Sequence, residues 1–124
     1  MPTIYGLNHV QIAIPKGGED KARQFYSGLL GLNEIPKPAN LLARGGAWFE
    51  CGPLQLHLGV EAEDFKPVKK AHPALMVDDL EYFLDRLQQA GYDTRMDEPA
   101  EGYLRAYTSD PFGNSIELMY LRPA

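Results

Sequence analysis

His9, His57, His72 and Glu117 are the residues of this chain whose types suit the holding of a divalent metal ion. Imidazole nitrogens and a carboxylate are ligands for Fe(II), Zn, Ni, Co or Mn, and two histidines with one carboxylate leave positions open for a substrate, as in non-heme iron sites. A metal held in that way polarises neighbouring oxygens of a small molecule. A carboxylate beside it can serve as general base at a carbon next to a carbonyl, and Glu117 is the candidate for that catalytic role. A lone histidine in a strand is more often a hydrogen-bonded structural residue. Here, however, all three histidines of the chain fall on repeat-equivalent segments, and Glu117 sits in a run that is otherwise apolar. A carboxylate seldom occupies such a place unless it is paired or metal-bound.

The elements that must position these residues follow from periodicity and punctuation. Leu7–Ile14 alternates as a strand, with Val10, Ile12 and Ile14 on one face and His9, Gln11 and Ala13 on the other. Glu19–Leu30 has helical spacing, with acids in its first turn and Gly31 as its stop. A short strand at Leu32–Ile35, a strand within Leu41–Glu50 and a strand at Leu54–Val60 follow, the last with Gln55, His57 and Gly59 opposite four aliphatic residues. The second half repeats the plan. Ala71–Val77 reads as a strand, and Asp78 or Asp79 caps a helix running to Ala90. Tyr92–Met96, Tyr103–Ser109 and Ser115–Leu121 read as strands, with the turn Asp110-Pro-Phe-Gly-Asn114 before the last. His9 corresponds to His72, Gly31 to Gly91 and His57 to Glu117, at a spacing of roughly 60 residues. The expected organisation is one domain over residues 1–124, with module one at about 5–60, a connector at 61–70 and module two at about 71–122.

Composition narrows the classes. A chain of 124 residues can bury a real core without disulfides. Cys51 is the single cysteine, which suits a reducing cytoplasm, the expected location. The net charge of −5 argues against nucleic acid. No apolar run reaches membrane-spanning length, and the N-terminal residues do not read as a signal peptide. The expected partner is a small molecule. Arg44 and Arg105 are candidates to hold its carboxylate or phosphate by a forked contact, and Trp48, Tyr103 and Tyr107 to wall its cavity.

Four stretches carry a resemblance over nearly the whole chain: Leu7–Ile14, Phe25–Leu32, His72–Asp78 and, most specifically, Tyr107–Leu118. In these the chain resembles the vicinal oxygen chelate superfamily, which includes glyoxalase I, extradiol dioxygenases and the fosfomycin- and bleomycin-resistance proteins. The resemblance implies an α+β fold of two βαβββ modules forming paired curved sheets around a cleft. It also implies a homodimer in which half of one chain faces the other half of its partner. The superfamily's usual metal positions fall on His9, His72 and Glu117, with His57 at a fourth position where glyoxalase I has a glutamate. The activity implied is metal-dependent isomerase, lyase or dioxygenase chemistry on an oxygen-chelating substrate. The bleomycin-resistance branch implies the alternative of a metal-free sequestering protein. The extradiol signature expects a histidine within 98–106, where this chain has none.

Overall fold

The computed structural model describes residues 1–123. The chain divides into two units, Met1–Phe65 and a second that begins at Lys66. Each is a four-stranded sheet with helical cover, and the two share one plan, so the architecture is α+β with two βαβββ modules.

In the first unit β1 (His9–Pro15) leads through α1 (Glu19–Arg23) to β2 (Glu34–Ile35), β3 (Ala47–Cys51) and β4 (Leu54–Glu61). The sheet order is β1-β4-β3-β2, with β1 and β4 parallel and the other pairs antiparallel. The helix continues past Arg23 as a wider π-helical stretch, Gln24–Leu29, which buries Phe25 and Tyr26 completely. The Tyr26 ring meets Phe49 on β3 at 5.9 Å between centroids, so the helical segment is anchored on the sheet by aromatic contact. Ile12, Ile14, Leu56 and Leu58 complete this core. Each such side chain contributes about 1.5–3 kcal/mol by leaving water.

In the second unit β5 (Ala74–Met76) leads through α2 (Leu80–Gln89) to β6 (Thr94–Ala100), β7 (Tyr103–Ser109) and β8 (Ser115–Leu121), in the order β5-β8-β7-β6. Asp79 caps α2, its side chain accepting from the Tyr82 N–H at 3.1 Å. Leu75, Leu80, Leu87, Ala106, Ile116 and Leu118 are the buried core. The turn before β8 is fastened from inside. Asp110 Oδ1 accepts from the N–H groups of Phe112 and Asn114, both at 2.9 Å. Asn114 is wholly buried and accepts from the Val68 N–H at 2.9 Å, which ties the turn to the segment ahead of β5.

The strand expected within Leu41–Glu50 is β3, which starts at Ala47 after a 3-10 helix over residues 39–44. Three expectations need correction. The strand expected from Leu32 pairs only at Glu34 and Ile35. β6 runs on to Ala100 rather than ending at Met96. Its pairing is irregular between Asp97 and Ala100, and it is an edge strand, which is where a sheet tolerates a residue such as Pro99. His72 lies ahead of β5 and not on it: Pro73 has no N–H to give, and regular pairing begins at Ala74.

Candidate functional site

The second unit gathers His72 and Glu117. Glu117 stands on β8, the strand between β5 and β7, and is only 6 % exposed. Its backbone N–H donates to the Pro73 carbonyl at 3.0 Å, which draws the neighbouring His72 alongside. His72 Nε2 is 2.9 Å from Glu117 Oε1, while His72 Nδ1 is 2.9 Å from the Lys70 carbonyl oxygen. A carbonyl can only accept, so Nδ1 carries hydrogen, and neutral His72 then presents a lone pair to a carboxylate. Two acceptors at that separation require a cation between them, either a proton or a metal ion. A histidine whose Nδ1 is pinned by a carbonyl, with Nε2 turned to a carboxylate, has the orientation found in metal ligands.

Arg105 holds the other side of the carboxylate. Its Nη1 donates to Glu117 Oε2 at 3.3 Å and to the Tyr107 hydroxyl at 3.0 Å, its Nη2 meets Asp97 at 3.2 Å, and its Nε donates to the Glu98 carbonyl at 2.9 Å. Arg105 therefore fixes Glu117 in place, and its donors are engaged within the protein. Tyr107 is the cross-strand neighbour of Glu117, lies edge-on to His72 at 5.1 Å, and carries the Arg95 guanidinium over its ring at 4.8 Å. Tyr103 is half-buried at the far end of β7, four positions from Tyr107 and so on the same face.

The first unit gathers His9, His57 and Trp48 in a stack of rings. His57 on β4 is 3 % exposed and lies between Trp48 from β3, at 3.9 Å and 4° between planes, and His9 from β1, at 4.0 Å and 15°. His57 Nε2 donates to Gln55 Oε1 at 2.8 Å. Burial foremost, then the charges of His9 and Lys37, holds its pKa below the ordinary histidine value, so the ring is kept neutral. His9 is exposed, and its Nδ1 is paired with Asn8 Oδ1 at 2.8 Å, which leaves Nε2 as the nitrogen available for a ligand. Arg44 ends the 3-10 helix ahead of β3 and is exposed.

The repeat is visible in register. His57 pairs with Gln11 and Glu117 with Ala74; His9 and His72 each lie two residues before those partners. The sequence did not single out Gln55, Asn8 or Lys70, which orient the three imidazoles. Gln55 was detectable as a polar residue two positions from His57 on the same strand face. The other two act through neighbours or the backbone and left no pattern to read.

Among the described residues no three His, Cys, Asp or Glu side chains form one metal-holding group; each unit brings together a pair. The donor chemistry nevertheless suits a divalent ion. Glu117 with His72 supplies a carboxylate and an oriented imidazole, and His9 supplies a second imidazole with the same Nδ1 pinning.

Residues 6–118 match the family model of the glyoxalase/bleomycin resistance protein/dioxygenase superfamily, and the chain belongs to that superfamily. Its members commonly use divalent metals. Among solved structures the chain is similar to a putative glyoxalase family protein from Bacillus anthracis, at 44 % identity and a TM-score of 0.91 over 98 % of this chain and 99 % of that one. The fold is shared with the genomically encoded fosfomycin resistance protein FosX of Listeria monocytogenes, at 16 % identity and a TM-score of 0.75 over 95 % and 94 % of the two chains. It is also shared with lactoylglutathione lyase of Agrobacterium tumefaciens, at 20 % identity and 0.72 over 95 % of each. No curated protein matches the chain. No helix among the described residues is long and apolar enough to cross a membrane.

Proposed function

We propose that the chain is a metal-dependent enzyme that binds a small molecule through neighbouring oxygens and catalyses an isomerase- or lyase-type proton transfer. The observation that supports this best is the His72–Glu117 pair at 2.9 Å, two acceptors that need a cation between them. His9, His72 and Glu117 would hold the ion, His57 standing behind His9, with the homodimer supplying a second copy of each pair. When bound, the ion supplies Lewis-acid polarisation of the substrate's oxygens. The remaining work belongs to side chains. Arg105 keeps Oε2 of Glu117 fixed, and the Glu117 carboxylate would exchange the proton with substrate. Tyr107 and Tyr103 in the second unit, and Trp48 in the first, would supply the aromatic walls for substrate.

Metal analysis of anaerobically purified protein tests the reading. About one equivalent of a divalent metal per site is expected, lost in His9→Ala, His72→Ala and Glu117→Ala. Full metal content in all three variants would falsify it. One observation favours a second reading, a metal-free sequestering protein: no buried side-chain polar atom among the described residues lacks a hydrogen-bond partner, so the network is complete with a proton in place of the ion. Protein that takes up no divalent metal, yet is stabilised against heat by a small-molecule ligand, would establish that alternative.

A further inference from the structure

In the first unit a cavity of about 190 Å³ lies beside the ring stack, lined by Gln11, Lys37, Leu41, Arg44, Trp48 and Gly59 among others. It opens on the sheet face that carries His57, because Gln11, His57 and Gly59 alternate to the same side of β1 and β4. Its floor is closed by a tight internal contact. The Gln11 carboxamide lies against Gly59, where an added Cβ would come within 2.7 Å of Gln11 Nε2. Its wall is held by glycine as well. Gly46 has φ +83°, and a Cβ there would come within 2.0 Å of the Leu58 carbonyl oxygen, so the chain after Arg44 is pressed directly onto β4.

The charge of the lining is one-sided. Two cations, Lys37 and Arg44, line the cavity and no carboxylate does. Lys37 donates to the Gly45 carbonyl, which fixes its ammonium at the rim. Glu19 is turned to the Gly46 N–H at 2.9 Å, outside this lining. The Arg44 guanidinium has no hydrogen-bond or ion-pair partner among the described residues. A guanidinium and an ammonium beside the apolar surfaces of Trp48 and Leu41 suit an organic anion, whose carboxylate would meet the cations and whose apolar body would lie on the ring and the leucine.

We propose that this cavity is a carboxylate subsite, and that the enzyme's substrate is a small organic acid. The proposal rests on the metal-dependent reading in one respect: the acid's other end, its pair of oxygens, is the part that reaches the ion at His9. Two ring spacings, 3.9 and 4.0 Å, separate Trp48 from His9 through His57, which sets a short reach between carboxylate and chelating oxygens.

Trp48 is the chain's one tryptophan, so its fluorescence reports directly on the cavity. The full chain, as purified and after EDTA treatment, is titrated with benzoate and with benzamide, which have nearly the same shape and differ in charge. Saturable quenching by benzoate at least about tenfold tighter than by benzamide is expected, with or without metal, and that preference should disappear in Arg44→Gln and weaken in Lys37→Gln. Equal response to the two probes, or an undiminished benzoate preference in both variants, overturns the subsite. In parallel, the metal-loaded protein is titrated with catechol and 3,4-dihydroxybenzoate, which share a chelating end. Benzoate preference in protein that takes up no divalent metal even when metal is supplied would sink the catalytic reading and leave the subsite standing. Metal and catechol binding with no benefit from the added carboxylate would do the reverse.

Discussion

The two units share one strand order and one register, yet they fill equivalent positions with opposite physics. Where the second unit has Glu117 the first has His57, and beside them stand Tyr107 and Trp48 as cross-strand neighbours. In the second unit the central residue is a carboxylate held by Arg105 and His72. In the first it is a neutral imidazole held by two flat rings. The reason can be found two residues before the aromatic. The position of Arg105 corresponds to that of Gly46, which cannot carry a side chain because the Leu58 carbonyl occupies the space. With no guanidinium available there, a buried carboxylate at position 57 would have no such partner, and burying an unpaired charge costs several kcal/mol. The two halves thus share a frame but differ in what stands two residues before the aromatic: a guanidinium in one, a glycine in the other.

The largest effect should come from breaking the charged half. Glu117→Ala is expected to lower metal affinity by more than about 100-fold, beyond what loss of an outer partner costs. It should also destabilise the unit, since Arg105 and His72 keep their positions without their acid; metal titration and denaturant unfolding of the same variant measure both. Next comes the stacked half. His57→Ala empties the space between Trp48 and His9 and should cost about 3 kcal/mol, whereas His57→Phe restores a ring there and should cost less than about 1.5 kcal/mol. Metal content sharpens this: if His57 serves His9 only by stacking, the phenylalanine variant keeps its metal, and loss of metal there would make His57 a ligand. Arg105→Met should weaken metal binding by about 10- to 100-fold through a carboxylate that is no longer oriented, leaving the ligand set itself intact. A retained affinity would show that Arg105 does not position Glu117.

The smallest effect concerns Glu19, whose carboxylate fastens Gly46, the counterpart of Arg105. The Gly46 N–H foremost holds the Glu19 pKa below the ordinary glutamate value. A lowered native pKa means that the stabilisation is complete above the ordinary value and is lost as pH falls through the native one. Urea midpoints of Glu19→Gln and the parent chain should therefore differ at neutral pH and converge in acid. A constant gap at all pH values would count against this role.

Much of the frame could be read from residues. Alternation in Leu7–Ile14 and Ser115–Leu121, the cap at Asp79 and the glycine stops found most of the elements, because these signals are local. The misses have local causes too. Asp97, Pro99 and Gly102 looked like a loop, but the strand before them runs on to Ala100 along the sheet edge. At the candidate site, residue types pointed to His9, His57, His72 and Glu117. What could not be read was how each imidazole is held. The ring stack depends on a parallel pairing of β1 with β4, whose register follows from the folded sheet and not from either strand alone. For the same reason the four partners of Arg105, which come from three separate strands, left no pattern in the sequence.

The strand order has a consequence for synthesis. In each unit the strand made last is an inner one, with the first strand of that unit on its outer flank. While the ribosome extends the second unit, Ala74–Met76 therefore has no neighbour to bond with until Ser115–Leu121 has emerged and slid in beside it. The nascent unit stays open, exposed to chaperones and proteases, until its final strand arrives, and that strand delivers the acid and closes the sheet in the same event.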